Sequence, residues 1–453
     1  MSISTAAVDH RSTARSGFIL NIETTVASLL ICFHMLLPLD LGMPGINVGK
    51  TLSPSIASSF VALLIIGWTS YGAVFAGFRR RFAVGMSLFV CVMVAASVHS
   101  WNPANAFSHT LRLYCCFVIN YVIFVYLAER YGYKWMTRAV LVAGSIAAII
   151  AVLEILLGLR IPLYQHFIEA ASESGEGMDT RQLGFDFFRA TGTMGNAIFM
   201  SILMVVCIPF VFELRSSLLR VMFLALLAGG AAATVSRTAG LGVAVFVIAC
   251  AIVYRRKFWM IVGLCAVLVG AVALTSRGSK LDQNPYVQVW ATRLGISTDA
   301  GTDRSEANVT LRAVNSAKVL KELQDNSSPI ELAFGHGYLS AMLVARLDDG
   351  SPGTLDDTPV TILFEEGILG LVLFYGVFIA AAWESRRIAR RSLQWYNGFA
   401  LLACGFGTNF ETYSMFNIVA VASISIVTAR QYILPEPESE PKNDRIEVQT
   451  FSP

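Results

Sequence analysis

Charged residues are scarce in this sequence: Asp, Glu, Lys and Arg make up 14% of its 453 residues, and the mean hydropathy is +0.61. Soluble domains carry about 25% charged residues, so the composition excludes a soluble globular protein and is typical of a chain that lies in a bilayer. A P-loop of the form G-x-x-x-x-G-K-[ST] is also missing, which argues against ATP-driven transport by this chain. The net charge of +3 gives no reason to expect a nucleic acid partner.

Cysteine and histidine offer little for redox or metal chemistry. The chain has eight Cys, all inside apolar runs, so there is neither a disulfide framework nor a C-x-x-C metal pattern. The predicted outer loops hold no His/Cys cluster with metal-ligand spacing. Carboxylates could still bind a divalent cation, so a metal is disfavoured rather than excluded. We predict neither a metal nor a cofactor.

Apolar runs are abundant. Twelve of them approach the length needed to cross a bilayer, at residues 18–39, 54–77, 82–99, 110–128, 139–158, 194–214, 219–235, 238–254, 258–275, 359–383, 395–409 and 412–429. The first run has no small-residue cleavage site, so we interpret it as a span rather than a signal peptide. The sequence therefore predicts an all-α integral membrane protein with about twelve transmembrane helices.

Lys and Arg cluster in alternate loops, which predicts the orientation of these spans. By the positive-inside rule the cationic loops, among them 79–81, 130–138, 255–257 and 386–391, and both termini are cytoplasmic. A smaller loop at about 159–193 and a large loop at 276–357 then lie on the outer side. The predicted plan is helices 1–9 within residues 1–275, the large outer loop, helices 10–12 within 358–430, and a Pro- and charge-rich disordered tail at 431–453.

A helix is predicted to start where the large loop returns to the membrane. Pro359 is tolerated at a first helical position, and Asp357 or Thr358 can cap the free amides. Asp357, Thr361 and Glu365 then recur every four residues, which gives the entering helix a polar stripe.

Four carboxylates accompany this return to the bilayer. Asp356 and Asp357 could merely cap the helix and favour its positive end. Glu365 and Glu366 lie one to two turns deeper, where an ionised group is costly unless it is used or paired. We predict that Asp356, Asp357 and Glu365 are catalytic, with Glu366 as a further candidate.

Other polar residues lie near the predicted outer ends of spans: Arg112, Glu154, Arg189, Asn196 and Arg237. Each could simply snorkel to the interface. The alternative is a functional site, since a planar guanidinium binds phosphate oxygens in bidentate fashion. Arginines that face carboxylates at the outer membrane surface suit a lipid-linked diphosphate donor beside a nucleophilic hydroxyl group.

Residues 305–323 of the large loop predict an amphipathic helix with an apolar stripe of Leu311, Val314, Ala317, Leu320 and Leu323. Arg304, Asn308, Arg312 and Asn315 fall within an arc of about 80°. This arc could bind phosphate, or it could be a solvated face with Asp303 and Glu306 as partners. His336, between two glycines, is either a third candidate or simply exposed.

Four segments, in this order along the chain, resemble the O-antigen polymerase and O-antigen ligase superfamily, the Wzy and WaaL proteins. Residues 188–196 are similar to its R-x-T-G-T-x-x-N segment, 234–238 to its T-x-S-R turn, 334–338 to its G-x-G-Y segment, and 356–370 to the end of its large periplasmic loop. The resemblance covers roughly residues 185 to 375. Ligases typically carry His and Asn where this chain has Asp356 and Asp357, which favours a polymerase.

The resemblance implies a GT-C-like glycosyltransferase in the bacterial inner membrane, whose outer loops are periplasmic. Arg189 and Arg237 would bind the donor diphosphate, and Arg304 or Arg312 would supply a loop arginine. Asn196 and His336 are further candidates.

The predicted function is polymerisation of undecaprenyl-diphosphate-linked oligosaccharide repeat units into a surface polysaccharide or exopolysaccharide. Besides this donor and membrane lipids, the implied partners are the chain-length regulator and flippase proteins of the same pathway. One alternative is an O-antigen ligase that transfers glycan to lipid A-core. Another is a secondary transporter, which would place its ionisable residues near the midplane of the membrane.

Overall fold

The computed structural model describes residues 15–36, 54–100, 102–157, 190, 197–234, 236, 238, 240–252, 302–338, 340–345, 355, 357–388 and 396–405. Within these residues the regular structure is entirely helical, which confirms the predicted all-α class there. The predicted ninth and twelfth spans and the C-terminal tail lie outside the described residues, as do most of the smaller loop and the first part of the large loop.

The N-terminal half contains nine α-helices within the described residues. Their bounds are α1 Arg15–Leu36, α2 Pro54–Phe78, α3 Arg81–Ser97, α4 Pro103–Tyr114, α5 Asn120–Tyr131, α6 Tyr133–Leu157, α7 Ala197–Val211, α8 Ser217–Ala233 and α9 Gly240–Ile252. A π-helical segment, Cys115–Ile119, joins α4 to α5 without a break. Six further helices are described after residue 300: α10 Thr302–Asn326, α11 Pro329–Phe334, α12 Ser340–Val344, α13 Thr358–Glu365, α14 Gly367–Ile388 and α15 Asn397–Gly405.

Three helices of the described part are long and apolar enough to cross a membrane: Ala57–Phe78, Pro103–Tyr131 and Lys134–Leu157. Several large apolar side chains of α2 also point away from the protein, and Trp68 is 93% exposed. Such an exposed apolar face indicates contact with lipid. These helices indicate a membrane protein. The twelve crossings stay a prediction, although helices lie at ten of the twelve predicted runs and the other two runs are not described.

The fourth run differs from its predicted bounds. The predicted runs at 82–99 and 110–128 leave a short loop at 100–109, but α4 begins at Pro103. The Asn102 side chain accepts a hydrogen bond from the Asn105 N–H (3.2 Å), and proline suits the first turn. Arg112 therefore lies about two and a half turns after the start of α4, in its last turn, rather than at its start.

The α4–α5 unit lies at the centre of the fold, with α3 and α14 packed beside it. Phe82 on α3 contacts the rings of Tyr121 on α5 and Phe378 on α14, at centroid distances of 4.7 and 6.1 Å. Aromatic pairs of this kind contribute about 0.5–1.5 kcal/mol beyond burial. Gly85 allows α3 and α14 to approach closely, since a β-carbon there would overlap Val377.

A second set of helices packs on α6. Gly230 of α8 lies against Ala148, where an added β-carbon would be 3.0 Å from the Ala148 backbone. The α15 helix packs on α7, and the buried Asn397 amide donates a hydrogen bond to the Val206 carbonyl (3.3 Å). This bond gives the buried amide nitrogen a partner in apolar surroundings and holds α15 in register.

The loop helix α10 extends over the predicted range, but its predicted apolar stripe is only partly buried. Leu323 of the stripe is buried, whereas Val314 and Leu320 are 43% and 42% exposed. Val319 and Asn315, which lie outside the stripe, are buried. The buried positions contact α12 and α13, so the helix is rotated relative to the expected stripe. Asn315, assigned to the polar arc, is 0% exposed and therefore does not lie on a solvated face.

The predicted span at 359–383 is not one continuous helix, because it is divided into α13 and α14. Glu366 leaves the helical conformation (φ −116°, ψ 0°), and Gly367 follows with a positive φ of 71°. A positive φ is costly for residues with a β-carbon, so glycine at 367 permits the break. The break lies next to the predicted carboxylates and defines the candidate site.

Candidate functional site at the helix break

Asp357 is the N-cap of α13, which confirms one of the two predicted caps. Its Oδ1 accepts a hydrogen bond from the Val360 N–H at 3.4 Å, and Pro359 occupies the first turn. The Thr361 hydroxyl donates to the Asp357 carbonyl (2.9 Å). Burial raises the pKa of Asp357 above its ordinary value, while the hydrogen bond from Val360 opposes this shift. Asp356 lies outside the described residues.

Glu365 and Glu366 are consecutive, buried carboxylates at the break, with side chains 2% and 1% exposed. Glu365 Oε1 accepts a hydrogen bond from the Ala341 N–H (3.2 Å) in the first turn of α12. This contact gives Glu365 a structural role that the sequence did not indicate, since it anchors α12 to α13. Thr361 lies one turn before Glu365 and is also buried, so the polar stripe faces protein at these two positions.

The segment 335–338 docks on the backbone of this break, and we call it the docking segment. The His336 N–H donates to the Phe364 carbonyl, and the Gly337 N–H donates to the Glu365 carbonyl, both at 2.9 Å. Gly335 has φ +86°, and a β-carbon there would overlap the backbone of Glu365 and Glu366. The third and fourth segments of the superfamily resemblance are therefore in direct contact.

The other side of the docking segment contacts α3 and α4. The Ser100 hydroxyl donates to the Tyr338 carbonyl (3.1 Å), and Gly337 lies against Ala96, with no room for a β-carbon. The Tyr338 ring stacks on His109 with a centroid distance of 4.0 Å and an interplanar angle of 14°. The docking segment thus bridges the α3–α4 region and the α13–α14 break.

His109 is a residue that sequence reasoning missed. It is 3% exposed, and among the described residues its Nε2 has no hydrogen-bond partner. Its position between two predicted spans gave no reason to expect a functional role. The available signal was its spacing from Arg112, because His109 lies one helical turn before that residue, which its place near the predicted outer end of a span had marked.

The two arginine-bearing segments also meet, through their neighbours. The Ala190 N–H donates to the Ala233 carbonyl (3.1 Å), which joins the residue after Arg189 to the end of α8. Thr234 and Ser236, beside Arg237, are buried. The side chains of Arg189, Asn196 and Arg237 lie outside the described residues, so their predicted roles stay predictions.

Arg304 and Arg312 lie on α10, the helix that packs on α12 and α13, but their side chains are outside the description. The structure therefore brings the helix of both loop candidates to the helix that starts at Asp357. Elsewhere, Glu154 of α6 is 1% exposed. His336 is partly buried, and its ring stacks on Phe364 (centroid distance 4.4 Å).

The chemistry available at the break is that of carboxylates and hydrogen-bond donors. In the described part of the chain, no group of three His, Cys, Asp or Glu side chains could hold a metal ion. A half-buried Asp with a raised pKa can accept a proton from a hydroxyl group more readily than an ordinary surface Asp. No protein-family model matches the chain, and no curated protein shows significant similarity to it.

Proposed function

We propose that this chain is a metal-independent membrane glycosyltransferase that polymerises undecaprenyl-diphosphate-linked oligosaccharide repeat units at the periplasmic face of the inner membrane. The observation that carries the proposal is the backbone contact between the docking segment and the α13–α14 break. Two segments singled out separately in the sequence are in contact there, beside the two buried glutamates and about two turns of α13 from Asp357.

In the proposed reaction, the acceptor hydroxyl attacks the anomeric carbon of the donor glycan. The bond between that carbon and the diphosphate oxygen breaks as the new glycosidic bond forms, and the hydroxyl proton passes to Asp356 or Asp357. The leaving undecaprenyl diphosphate gains negative charge, which Arg189 and Arg237 stabilise. The Ala190–Ala233 hydrogen bond supports the pairing of these two arginines.

A secondary transporter is a second candidate, and the helix break favours it. Transporters commonly bind substrate at discontinuous helices whose ends and unwound backbone contact charged groups. The α13–α14 break with its two buried carboxylates has this character. Such a protein would move its substrate without forming a glycosidic bond.

Purified protein incubated with synthetic undecaprenyl-diphosphate-linked repeat units tests the proposal, since a polymerase forms longer lipid-linked glycans and a transporter does not. In cells, deletion of the gene should cause single repeat units to accumulate, and wild-type protein should restore polymer. Asp356→Asn should abolish polymer at normal protein abundance. If Asp356→Asn supported wild-type chain length while Asp357→Ala did not, the base would be Asp357. A deletion strain with unchanged polymer would refute the proposal.

A further inference from the structure

Three side chains around α11 form a cluster that the proposed glycosyl transfer does not use: Ser327 in the turn before α11, Glu331 in α11 and His336 just after it. Ser327 Oγ lies 2.8 Å from His336 Nε2, a hydrogen-bonding distance. Glu331 Oε1 lies 3.8 Å from the other ring nitrogen, His336 Nδ1. This arrangement, with a serine hydroxyl at Nε2 and a carboxylate beside Nδ1, is the one that activates a serine nucleophile.

The histidine ring is held in this orientation by contacts to one of its faces and to its backbone. It stacks on Phe364 with an interplanar angle of 22°, and the His336 backbone is fixed by its hydrogen bond to the Phe364 carbonyl. The Glu331 carboxylate favours a proton on Nδ1, since that proton can point at it. Nε2 is then the acceptor for the Ser327 hydroxyl proton.

Glu331 is itself held in place. It forms a capping box with Ser328: Glu331 Oε2 accepts from the Ser328 N–H (2.8 Å), and the Glu331 N–H donates to Ser328 Oγ (3.3 Å). These hydrogen bonds with Ser328 hold the pKa of Glu331 below its ordinary value. The residue is therefore a carboxylate at neutral pH, with Oε1 directed toward the histidine. At 3.8 Å its effect on the ring is electrostatic.

The three groups are accessible to a ligand. The side chains of His336 and Glu331 are 20% and 37% exposed, and Ser327 is only partly buried. Ser327 contacts the edge of the imidazole ring, whereas Phe364 covers one of its faces. The partial exposure of Ser327 and Glu331 lets a small molecule reach this edge.

We propose that Ser327, His336 and Glu331 form a second active site that cleaves small carboxylic esters through an acyl-serine intermediate. Ser327 and His336 are its catalytic residues, and Glu331 positions the ring. This activity is independent of the proposed glycosyl transfer.

The reaction has two balanced halves. Ser327 Oγ attacks the carbonyl carbon of the ester while His336 Nε2 takes the hydroxyl proton. The tetrahedral intermediate collapses, the carbon–alkoxide bond breaks, and the alcohol leaves with the proton from His336. Water then attacks the acyl-serine, gives a proton to His336, and releases the carboxylic acid as the proton returns to Ser327.

The test uses full-length protein purified in detergent, with 4-nitrophenyl acetate as substrate and a fluorophosphonate as covalent probe. Wild-type protein should hydrolyse the ester and carry the probe on Ser327, identified by peptide mass spectrometry. Ser327→Ala and His336→Gln should each lower hydrolysis about 100-fold or more, because each removes nucleophile or base. The control is Thr69→Ala, which removes an exposed hydroxyl that donates to the Ile65 carbonyl within α2 and takes no part in the cluster, so it should keep the activity.

A wild-type protein that is not labelled at Ser327, or His336→Gln protein labelled as fast as wild type, overturns the proposal. If Ser327→Ala fails to fold, the wild-type label and the His336→Gln rate still decide the question. Glu331→Gln keeps a side-chain acceptor for the Ser328 N–H but loses the charge. It should lower kcat about tenfold with KM unchanged, and Glu331→Asp should restore part of kcat. A wild-type kcat in Glu331→Gln assigns the residue to the helix cap alone and overturns its positioning role.

Discussion

Replacing Gly335 with alanine should detach the docking segment from the α13–α14 break. Gly335 has φ +86° and ψ 178°, a conformation that is essentially confined to glycine and costs other residues about 1–3 kcal/mol. The added methyl group would also overlap the Glu365 and Glu366 backbone. Relief of that overlap requires loss of the two hydrogen bonds made by His336 and Gly337, at about 0.5–1.5 kcal/mol each.

The Gly335→Ala substitution should therefore reduce the stability of the docked conformation, relative to the undocked one, by about 2–6 kcal/mol. Amide hydrogen exchange measures this locally, because the His336 and Gly337 amides donate the two bonds. Since 1.4 kcal/mol corresponds to a factor of ten, even the lower end predicts about 30-fold faster exchange at both amides. The α14 amides should exchange as in wild type.

Gly376→Ala is the matched control. Gly376 lies inside α14, and an added β-carbon there meets no atom within 4 Å. Alanine favours helix over glycine, so this variant should leave exchange at His336 and Gly337 unchanged. If Gly335→Ala also kept wild-type protection of these amides, the docking contact would not depend on the glycine conformation and the reasoning would be wrong.

Three further predictions concern the cap, the arginines and the orientation. Asp357→Ala should destabilise the protein by about 1 kcal/mol through loss of the cap, whereas Asp357→Asn keeps a capping oxygen. Burial raises the pKa of Asp357 in the folded protein, so the folded state holds this proton more tightly than the unfolded state. The wild-type protein should therefore lose stability, relative to Asp357→Asn, as the pH rises from about 3.8 through the raised pKa. Melting temperatures of the two proteins that change in parallel with pH would contradict this. Arg189→Lys and Arg237→Lys should each abolish most of the polymer, because lysine keeps the positive charge but lacks the planar guanidinium that binds two phosphate oxygens. Wild-type chain length in both variants would exclude diphosphate binding by these arginines. In a cysteine-depleted background, a cysteine at position 300 should react with an impermeant thiol reagent from the periplasm. A cysteine at position 256 should react only after the inner membrane is opened. The opposite pattern would place the large loop in the cytoplasm.

Local signals accounted for the helices and for the start of α13. Helices lie at all ten apolar runs that the structure describes, because a lipid-facing or buried helix needs a continuous apolar sequence. Asp357 and Pro359 predict a helix start because capping and the fixed proline φ involve only a few consecutive residues.

Local sequence signals did not predict which face of α10 is buried. Both Val314 and Val319 are apolar, and only contact with α12 and α13 decides which of them is covered. Composition on a helix surface indicates a face only where one side is clearly more apolar, and here Asn315 lies on the buried side.

By itself the sequence determined the helical class, the apolar character of the chain and the residues on which a site could be built. Tertiary structure alone decided that α13 and α14 separate after Glu365, and that the docking segment occupies the break. The physical reason is that Gly367 permits a positive φ without requiring it. The strained backbone persists because the docking segment supplies hydrogen bonds to the Phe364 and Glu365 carbonyls, from residues nearly thirty positions earlier in the chain.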